Sequence, residues 1–151
     1  MPNRVDMTET ATSHSIHELT ESECWTLLGK TGLGRVAVAI DRGVDIFPVN
    51  YAVTDLRIYF SSAPGSKLVD ITARPQLAFE VDGTAGRERW SVVAKGVGER
   101  LSFDTEIEDS GVRELHSLAP SDKWNYIRIT PELLTGRRFT ARRRRRTTTE
   151  K

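Results

Sequence analysis

The sequence predicts a mainly β fold, a β-barrel with short helices, and three observations support this. About five or six runs rich in β-branched and aromatic residues are separated by turn residues such as Asp-Gly and Arg-Gly. The helical patterns between these runs are few and short. Gly96 and Gly98 interrupt one long strand pattern, as is typical of the bulge or bend in a barrel strand. A closed sheet with helical additions combines these features.

The first predicted element is a helix that begins near Thr20. Thr20 and Glu23 form a capping box, with Thr20 as the N-cap and Glu23 three residues later. Gly29 or Gly32 can end the helix in the left-handed conformation. We expect Cys24, within this helix, to be a small buried hydrophobe, because no neighbouring group would lower the pKa of its thiol.

A strand at Gly34–Asp41 leads into the central feature of the chain, a tight β-hairpin. The two strands of the hairpin are Ile46–Val53 and Leu56–Ser62, and only Thr54-Asp55 separates them. Such a short connection makes the two strands antiparallel neighbours in the sheet.

Four stretches after the hairpin complete the predicted barrel. Gln76–Val81 is typical of a strand that ends at Asp82-Gly83, and Glu88–Phe103 is a longer strand. Asp104–Leu118 is acidic and then weakly helical, and Trp124–Ile129 is the last clear strand.

Composition indicates one soluble globular domain. The chain has 151 residues, of which 38% are hydrophobic and 28% charged. The net charge of +1 argues against a body dominated by binding to a nucleic-acid backbone. The single cysteine excludes an internal disulfide. No apolar run spans a bilayer and the N-terminal residues lack a signal peptide's apolar region, so we expect a cytoplasmic protein without a membrane partner.

The chain is expected to have three segments. Residues 1–15 are polar and predicted to be a disordered lead, residues 16–139 form the domain, and residues 140–151 form a disordered basic tail. The tail contains the consecutive arginines Arg142–Arg146, and such a like-charged block repels itself. It could bind polyanions weakly, or it could simply be a solvated tail.

The residues after the hairpin are a candidate phosphate site. A glycine-containing turn ends at Gly65, and Ser66-Lys67 opens a helical pattern that should stop by Arg74, before Pro75. The amides and dipole of a first helical turn favour an anion, and Lys67 adds an ammonium group. The alternative is an ordinary turn with a solvated lysine. The spacing matches neither the P-loop nor the Rossmann fingerprint.

The usual catalytic constellations are not found. The three histidines, His14, His17 and His116, have no partners at zinc-site spacing, and no Gly-x-Ser-x-Gly nucleophile motif occurs. We therefore predict no metal site and name no catalytic residue. A chain with few acids, bases and nucleophiles but a candidate phosphate site suits a bound cofactor that carries the chemistry.

Three segments resemble the pyridoxamine 5'-phosphate oxidase-like family of FMN-binding split barrels, and within it the small actinobacterial flavin/deazaflavin oxidoreductases. The segments are GRVAVAIDRGVDIFPVNYAV, IYFSSAPGSKL and WSVVAKGVGE, and the resemblance covers roughly Leu19–Phe139. It implies a split β-barrel of about six strands that is dimeric, with FMN at the interface of a homodimer.

The resemblance also implies cofactor-binding positions on the hairpin, on the turn after it and on the later long strand. These positions are Pro48, Val49, Asn50 and Tyr51 for the ring, Tyr59, Phe60, Ser61 and Ser62 for the ring and ribityl chain, Ser66 and Lys67 for the phosphate, and Trp90 and Ser91. The aromatic residues could instead belong to the barrel core or to the dimer interface. Pyridoxamine phosphate oxidases have an arginine where this chain has Ser66, so one bidentate phosphate contact is missing.

The resemblance leaves three functions open. The first is an FMN-dependent oxidoreductase acting on a small organic substrate other than pyridoxamine phosphate, whose C-terminal substrate signature this chain lacks. The second is a reductase that uses the deazaflavin coenzyme F420, whose longer acidic tail needs a basic groove. Such a groove could be supplied by Arg35, Arg57, Arg87 and Arg89. The third is a non-enzymatic flavin-binding or sensing module with an anion-binding tail.

Overall fold

A computed structural model describes residues 16–62, 71, 74–115 and 125–140. This part of the chain is mostly β-strand, with two short α-helices and one 3-10 helix. In chain order the elements are β1 (Ile16–Glu18), α1 (Glu21–Leu28), β2 (Thr31–Ile40), β3 (Gly43–Thr54), β4 (Arg57–Ser62), β5 (Gln76–Ala85), β6 (Glu88–Arg100), α2 (Asp104–Asp109), the 3-10 helix Val112–Leu115 and β7 (Asn125–Thr140). The predicted mainly β class is confirmed.

The seven described strands belong to one antiparallel sheet that closes on itself. The strand order is β1-β7-β4-β3-β2-β5-β6, and β6 also pairs with β7. That last pairing joins the two ends of the series, so β2 to β7 form a barrel and β1 extends it along the end of β7. The split barrel of about six strands is therefore confirmed, with one additional short strand that the sequence did not predict.

The barrel interior is an apolar core supplied by alternate residues of each strand. Phe60, Phe79 and Ile129 are almost completely buried, together with Val36 and Val92. Burying side chains of this size contributes about 1.5–3 kcal/mol each. A second small cluster, formed by Tyr59, Leu101, Ile107 and Val112, packs α2 and the 3-10 helix onto the outer side of β4.

Helix α1 has the ends that its sequence predicts. The Thr20 hydroxyl accepts a hydrogen bond from the Glu23 N–H at 3.2 Å. Gly29 ends the helix with φ of 66°, and its N–H donates to the Trp25 carbonyl at 3.2 Å. Cys24 is fully buried in the core, as expected, and burial raises the pKa of its thiol.

The hairpin is confirmed, but its turn is one residue later than predicted. Asp55 and Leu56 are the two turn residues, and both have positive φ, 51° and 56°. Positive φ at both central positions is the mark of a type I′ turn, whose twist matches that of the flanking strands. Leu56 is an unusual residue for this conformation, so composition alone did not locate the turn.

The last strand, β7, continues far beyond the predicted end at Ile129. It passes through Pro131 at a bulge, where Lys95 pairs with Leu133 and Gly96 with Pro131. A Cβ atom at Gly96 would lie 2.2 Å from the Thr130 carbonyl oxygen, so only glycine fits there. The bulge predicted at Gly96 is thus present.

Strands β5 and β6 also differ from their predicted limits. β5 continues to Ala85, and the turn to β6 is Gly86-Arg87 rather than Asp82-Gly83. β6 ends at Arg100, before the predicted Phe103. β5 and β6 pair over ten residue pairs, and this pairing continues through Asp82-Gly83, where the sequence predicted the turn.

Candidate functional site

The barrel opens between β3 and β4. Their pairing runs from the turn to Tyr51 opposite Phe60 and ends there. Beyond that pair, β3 continues along β2, with Asn50 opposite Leu33. β4 continues along β7, with Ser61 opposite Tyr126. Among the described residues, no ladder pairing between β3 and β4 continues beyond Tyr51 and Phe60, so the two strands diverge there.

Two predicted ring-binding residues face outward at this opening. Pro48 and Asn50 are exposed on the outer side of β3, and Ser61 is half-buried on β4. Val49 lies between Pro48 and Asn50 and points inward, because successive side chains of a strand alternate between its faces. The arrangement gives an amide, a hydroxyl and a rigid proline ring beside one opening.

Tyr51 and Phe60 place their side chains in the core. The Tyr51 hydroxyl donates to the Leu28 carbonyl at 2.6 Å, and its ring packs edge-on against Phe79 with centroids 5.0 Å apart. Burial raises the pKa of the Tyr51 phenol. Phe60 has no exposed surface. Within one protomer, these two residues can meet a ligand only through their backbone.

The remaining β4 positions are also enclosed. Tyr59 packs in the small cluster with Ile107 of α2, and Arg128 lies opposite it on β7. Arg128 is itself ion-paired with Glu99. Ser62 is buried and pairs in register with Asn125. These contacts fix β4 against β7 and so position Ser61 at the edge of the opening.

Trp90 and Ser91 lie on opposite faces of β6. The Trp90 ring packs against the core over Gly83, where an added Cβ would lie 2.5 Å from the ring. Ser91 faces the outer surface instead. The structure therefore does not bring these two predicted residues together on one surface of the protomer.

Ser91 lines a surface groove that the sequence did not predict. We call it the β6–β7 groove: it has a volume of about 400 Å³ and is lined by Ser91, Val93, Lys95, Thr135, Gly136 and Arg137. The alternation of β6 could have indicated that Lys95 shares a face with Ser91. The contribution of β7 could not be inferred, because the strand was predicted to end before these residues.

Arg35 is held by two carboxylates on the outer face. Its Nε donates to Glu80 at 2.6 Å and its guanidinium contacts Asp82 at 2.5 Å. The charge of this arginine, one of four suggested for a basic groove, is thus largely compensated. Of the other three arginines, Arg57 begins β4, and Arg87 and Arg89 lie on either side of Glu88, where β6 begins. They therefore do not all lie on one pair of neighbouring strands.

The outer face of β2 and β3 carries exposed apolar side chains. Leu33, Val44 and Ile46 are 58%, 65% and 66% exposed and lie on the same side of the sheet as Pro48 and Asn50. We call these five residues the β2–β3 outer face. Arg35 lies on the same face, opposite Pro48, so these apolar side chains flank a charged one.

Some predicted features lie outside the described residues. These are the phosphate candidates Ser66 and Lys67, the lead, the arginine tail and Trp124. Where side chains are described, no three His, Cys, Asp or Glu residues gather as a metal site. The same part of the chain has no helix with the length and apolar character needed to cross a membrane.

Comparisons with known proteins identify relatives that share this fold. The family model for pyridoxamine 5'-phosphate oxidase matches residues 20–138. A Corynebacterium glutamicum protein provisionally named pyridoxamine 5'-phosphate oxidase is 36% identical, with a TM-score of 0.74 over 83% of this chain and 99% of that one. An FAD-binding protein from Mycobacterium smegmatis is 31% identical, with a TM-score of 0.71 over 82% and 98%.

A further FAD-binding protein, from Mesorhizobium loti, is 27% identical, with a TM-score of 0.73 over 84% of this chain and 98% of that one. These similarities extend over the whole barrel. Because the family match spans most of the sequence and the fold agrees with it, the chain belongs to the pyridoxamine 5'-phosphate oxidase-like family of flavin-binding split-barrel proteins.

Proposed function

We propose that this protein is a flavin-dependent oxidoreductase acting on a small organic substrate, with FMN as its expected cofactor. The observation that carries the proposal is the opening between β3 and β4, in a chain of this family. It lies beside Pro48, Asn50 and Ser61, where the resemblance puts the flavin ring and ribityl chain. The bound flavin would supply the hydride-transfer chemistry.

The chain's own residues bind and orient the cofactor in this proposal. Asn50 offers both a donor and an acceptor to the polar edge of a ring. Ser61 offers a hydroxyl to the ribityl chain. Lys67 follows soon after Ser62, the last residue of β4, and is the expected phosphate partner. Its segment lies outside the described residues, so this role rests on the sequence.

The ion pairs of Arg35 favour a flavin over the deazaflavin F420. The longer acidic tail of F420 needs free cationic groups, and Arg35 is engaged by both Glu80 and Asp82. The FAD-binding relatives from Mycobacterium smegmatis and Mesorhizobium loti also support a flavin cofactor.

Reduction of the bound cofactor tests the proposed activity. Flavin-loaded protein is mixed with NADH, NADPH or reduced F420 without oxygen, and the yellow flavin absorption is followed. We expect bleaching by one of these donors and its reversal by a small organic acceptor such as a quinone. A flavin that binds but is reduced by none of the donors would favour the non-enzymatic module instead.

We also propose that a second copy of the chain covers the β2–β3 outer face. Leu33, Val44 and Ile46 leave apolar surface in water in a single copy. The same face carries Pro48 and Asn50, so a copy packed there would close the cofactor site from its open side. In a two-fold dimer each apolar residue contributes twice.

Ile46→Lys is expected to convert the dimer into a monomer. The substitution removes apolar contact and places two like charges in a symmetric interface, which should weaken association by about a hundredfold or more. Light scattering at micromolar concentration should give twice the 17.0 kDa chain mass for the parent and a single chain mass for the variant.

Leu56→Lys is the matched control, because Leu56 is 61% exposed but lies on the hairpin turn, outside the β2–β3 outer face. It should remain dimeric. A monomeric parent, or an Ile46→Lys variant that stays dimeric, would contradict the proposed interface.

A further inference from the structure

We propose that the β6–β7 groove binds a phosphate-type oxyanion, such as one phosphate or a diphosphate. The inference depends on the proposed flavin-binding function only if the bound anion is part of the flavin cofactor. The groove itself is a feature of the folded barrel and lies between β6 and β7, a different strand pair from the opening between β3 and β4.

The groove brings two cations and two hydroxyls to one surface. Lys95 lies on β6, on the same outer face as Ser91. On β7, Arg137 is opposite Ser91 and Thr135 is opposite Val93. The two cations thus stand at the ends of the groove, with the hydroxyls of Ser91 and Thr135 beside them.

The spacing of the cations suits a group larger than a single carboxylate. Arg137 lies opposite Ser91, which precedes Lys95 by four residues on β6. The backbones of the two cationic residues are therefore roughly 13 Å apart along the strand. Long side chains can reach toward each other over that distance, so their charged ends can hold one or two phosphate groups between them. Arginine and lysine are the usual partners of phosphate, and hydroxyls complete its hydrogen bonds.

The charges around the groove leave these two cations available. Neither Lys95 nor Arg137 forms an ion pair with a described carboxylate, although Glu18 lies opposite Arg137 on β1. The neighbouring Arg138, by contrast, pairs with Glu88 at 3.5 Å. On β5, Asp82 lies opposite Ser91 and Glu80 opposite Val93, and both carboxylates contact Arg35 rather than the cations of the groove.

Two sources could supply this anion. One is the diphosphate of a flavin dinucleotide, since Ser91 is also a cofactor position implied by the family resemblance and two relatives bind FAD. Because the sheet closes through β6 and β7, the groove and the opening are separated by β5 and β2 in one direction and by β7 and β4 in the other. The other source is a separate anionic substrate.

The test uses inorganic pyrophosphate and the full chain. Pyrophosphate is titrated into isotope-labelled protein, and the backbone amide signals of Ser91, Lys95 and Thr135 are followed by NMR. We expect saturable shifts for the parent. A Lys95→Gln/Arg137→Gln double variant should bind at this site about tenfold more weakly or worse, because both charge-assisted contacts are lost.

An Arg42→Gln/Arg100→Gln double variant is the control, because it removes the same charge at two exposed positions outside the groove. It should bind like the parent. The signals report the groove itself, so binding by the arginine tail does not interfere. Absence of shifts in the parent, or equal binding by the parent and the groove variant, would overturn the proposal.

Flavin titrations of the same variants identify the source. If FAD binding weakens by about tenfold while FMN binding is unchanged, the groove holds the dinucleotide diphosphate. If neither flavin is affected while pyrophosphate binding is lost, the groove serves a separate anion. Pyrophosphate binding is measured without flavin. A groove that does not bind pyrophosphate and a parent protein that does not bind flavin are therefore distinguishable results.

Discussion

Lys67→Ala is expected to purify largely without flavin and to bind FMN about ten- to a hundredfold more weakly than the parent. Lys67 follows Gly65-Ser66, where the sequence predicts a helix start that holds the cofactor phosphate. A hydrogen bond to a charged group contributes about 1.5–3 kcal/mol, which corresponds to this loss. Flavin fluorescence quenching measures the affinities directly.

Lys30→Ala is the control for this experiment. Lys30 is an exposed lysine between α1 and β2, away from the opening and the groove, so its removal should leave FMN affinity unchanged. Equal affinity of Lys67→Ala and the parent would remove the predicted phosphate site.

Tyr51→Ala is expected to lower the free energy of unfolding by about 3–5 kcal/mol, the range for truncating a large aromatic residue in a core. Tyr51 is 1% exposed, packs edge-on against Phe79 and donates a buried hydrogen bond to Leu28. The variant therefore loses apolar packing and leaves a buried carbonyl unpaired. Chemical denaturation followed by circular dichroism measures the change.

Tyr51→Phe separates the hydrogen bond from the packing. It keeps the ring and should cost only about 1–3 kcal/mol, for the unpaired Leu28 carbonyl. Tyr126→Phe is the control, because Tyr126 is only half-buried on β7. A Tyr51→Ala protein as stable as the parent would contradict the assignment of Tyr51 to the core.

The features predicted correctly depend on neighbours in sequence. The cap of α1 follows from Thr20 and Glu23, which lie three residues apart. The hairpin follows from two apolar runs with almost no chain between them. The bulge at Gly96 follows from a glycine inside a strand pattern, which marks a close backbone approach.

The features missed depend on distant parts of the chain. β7 continues past Pro131 because β6 pairs with it along its whole length, and no local pattern reports that pairing. β1 is only three residues long and is held by the far end of β7. The ion-pair partners of Arg35 are Glu80 and Asp82, which follow it by 45 and 47 residues, so sequence spacing could not indicate these pairs.

The resemblance names candidate site residues by position, and only the structure shows how their side chains are oriented. The resemblance named consecutive residues, whereas only alternate ones share a face of a strand. Pro48 and Asn50 face outward, while Tyr51 packs in the core. The same alternation separates Trp90 from Ser91 on β6. Register across strands then decided which outward residues lie beside the opening.

The measurement that tests the central claim most directly is a titration of FMN into the purified full-length protein, followed by flavin fluorescence quenching. We predict saturable binding that ends at one flavin per chain, in a protein that light scattering shows to be a dimer. Failure of both FMN and FAD to bind would contradict the proposed flavin site and the function built on it.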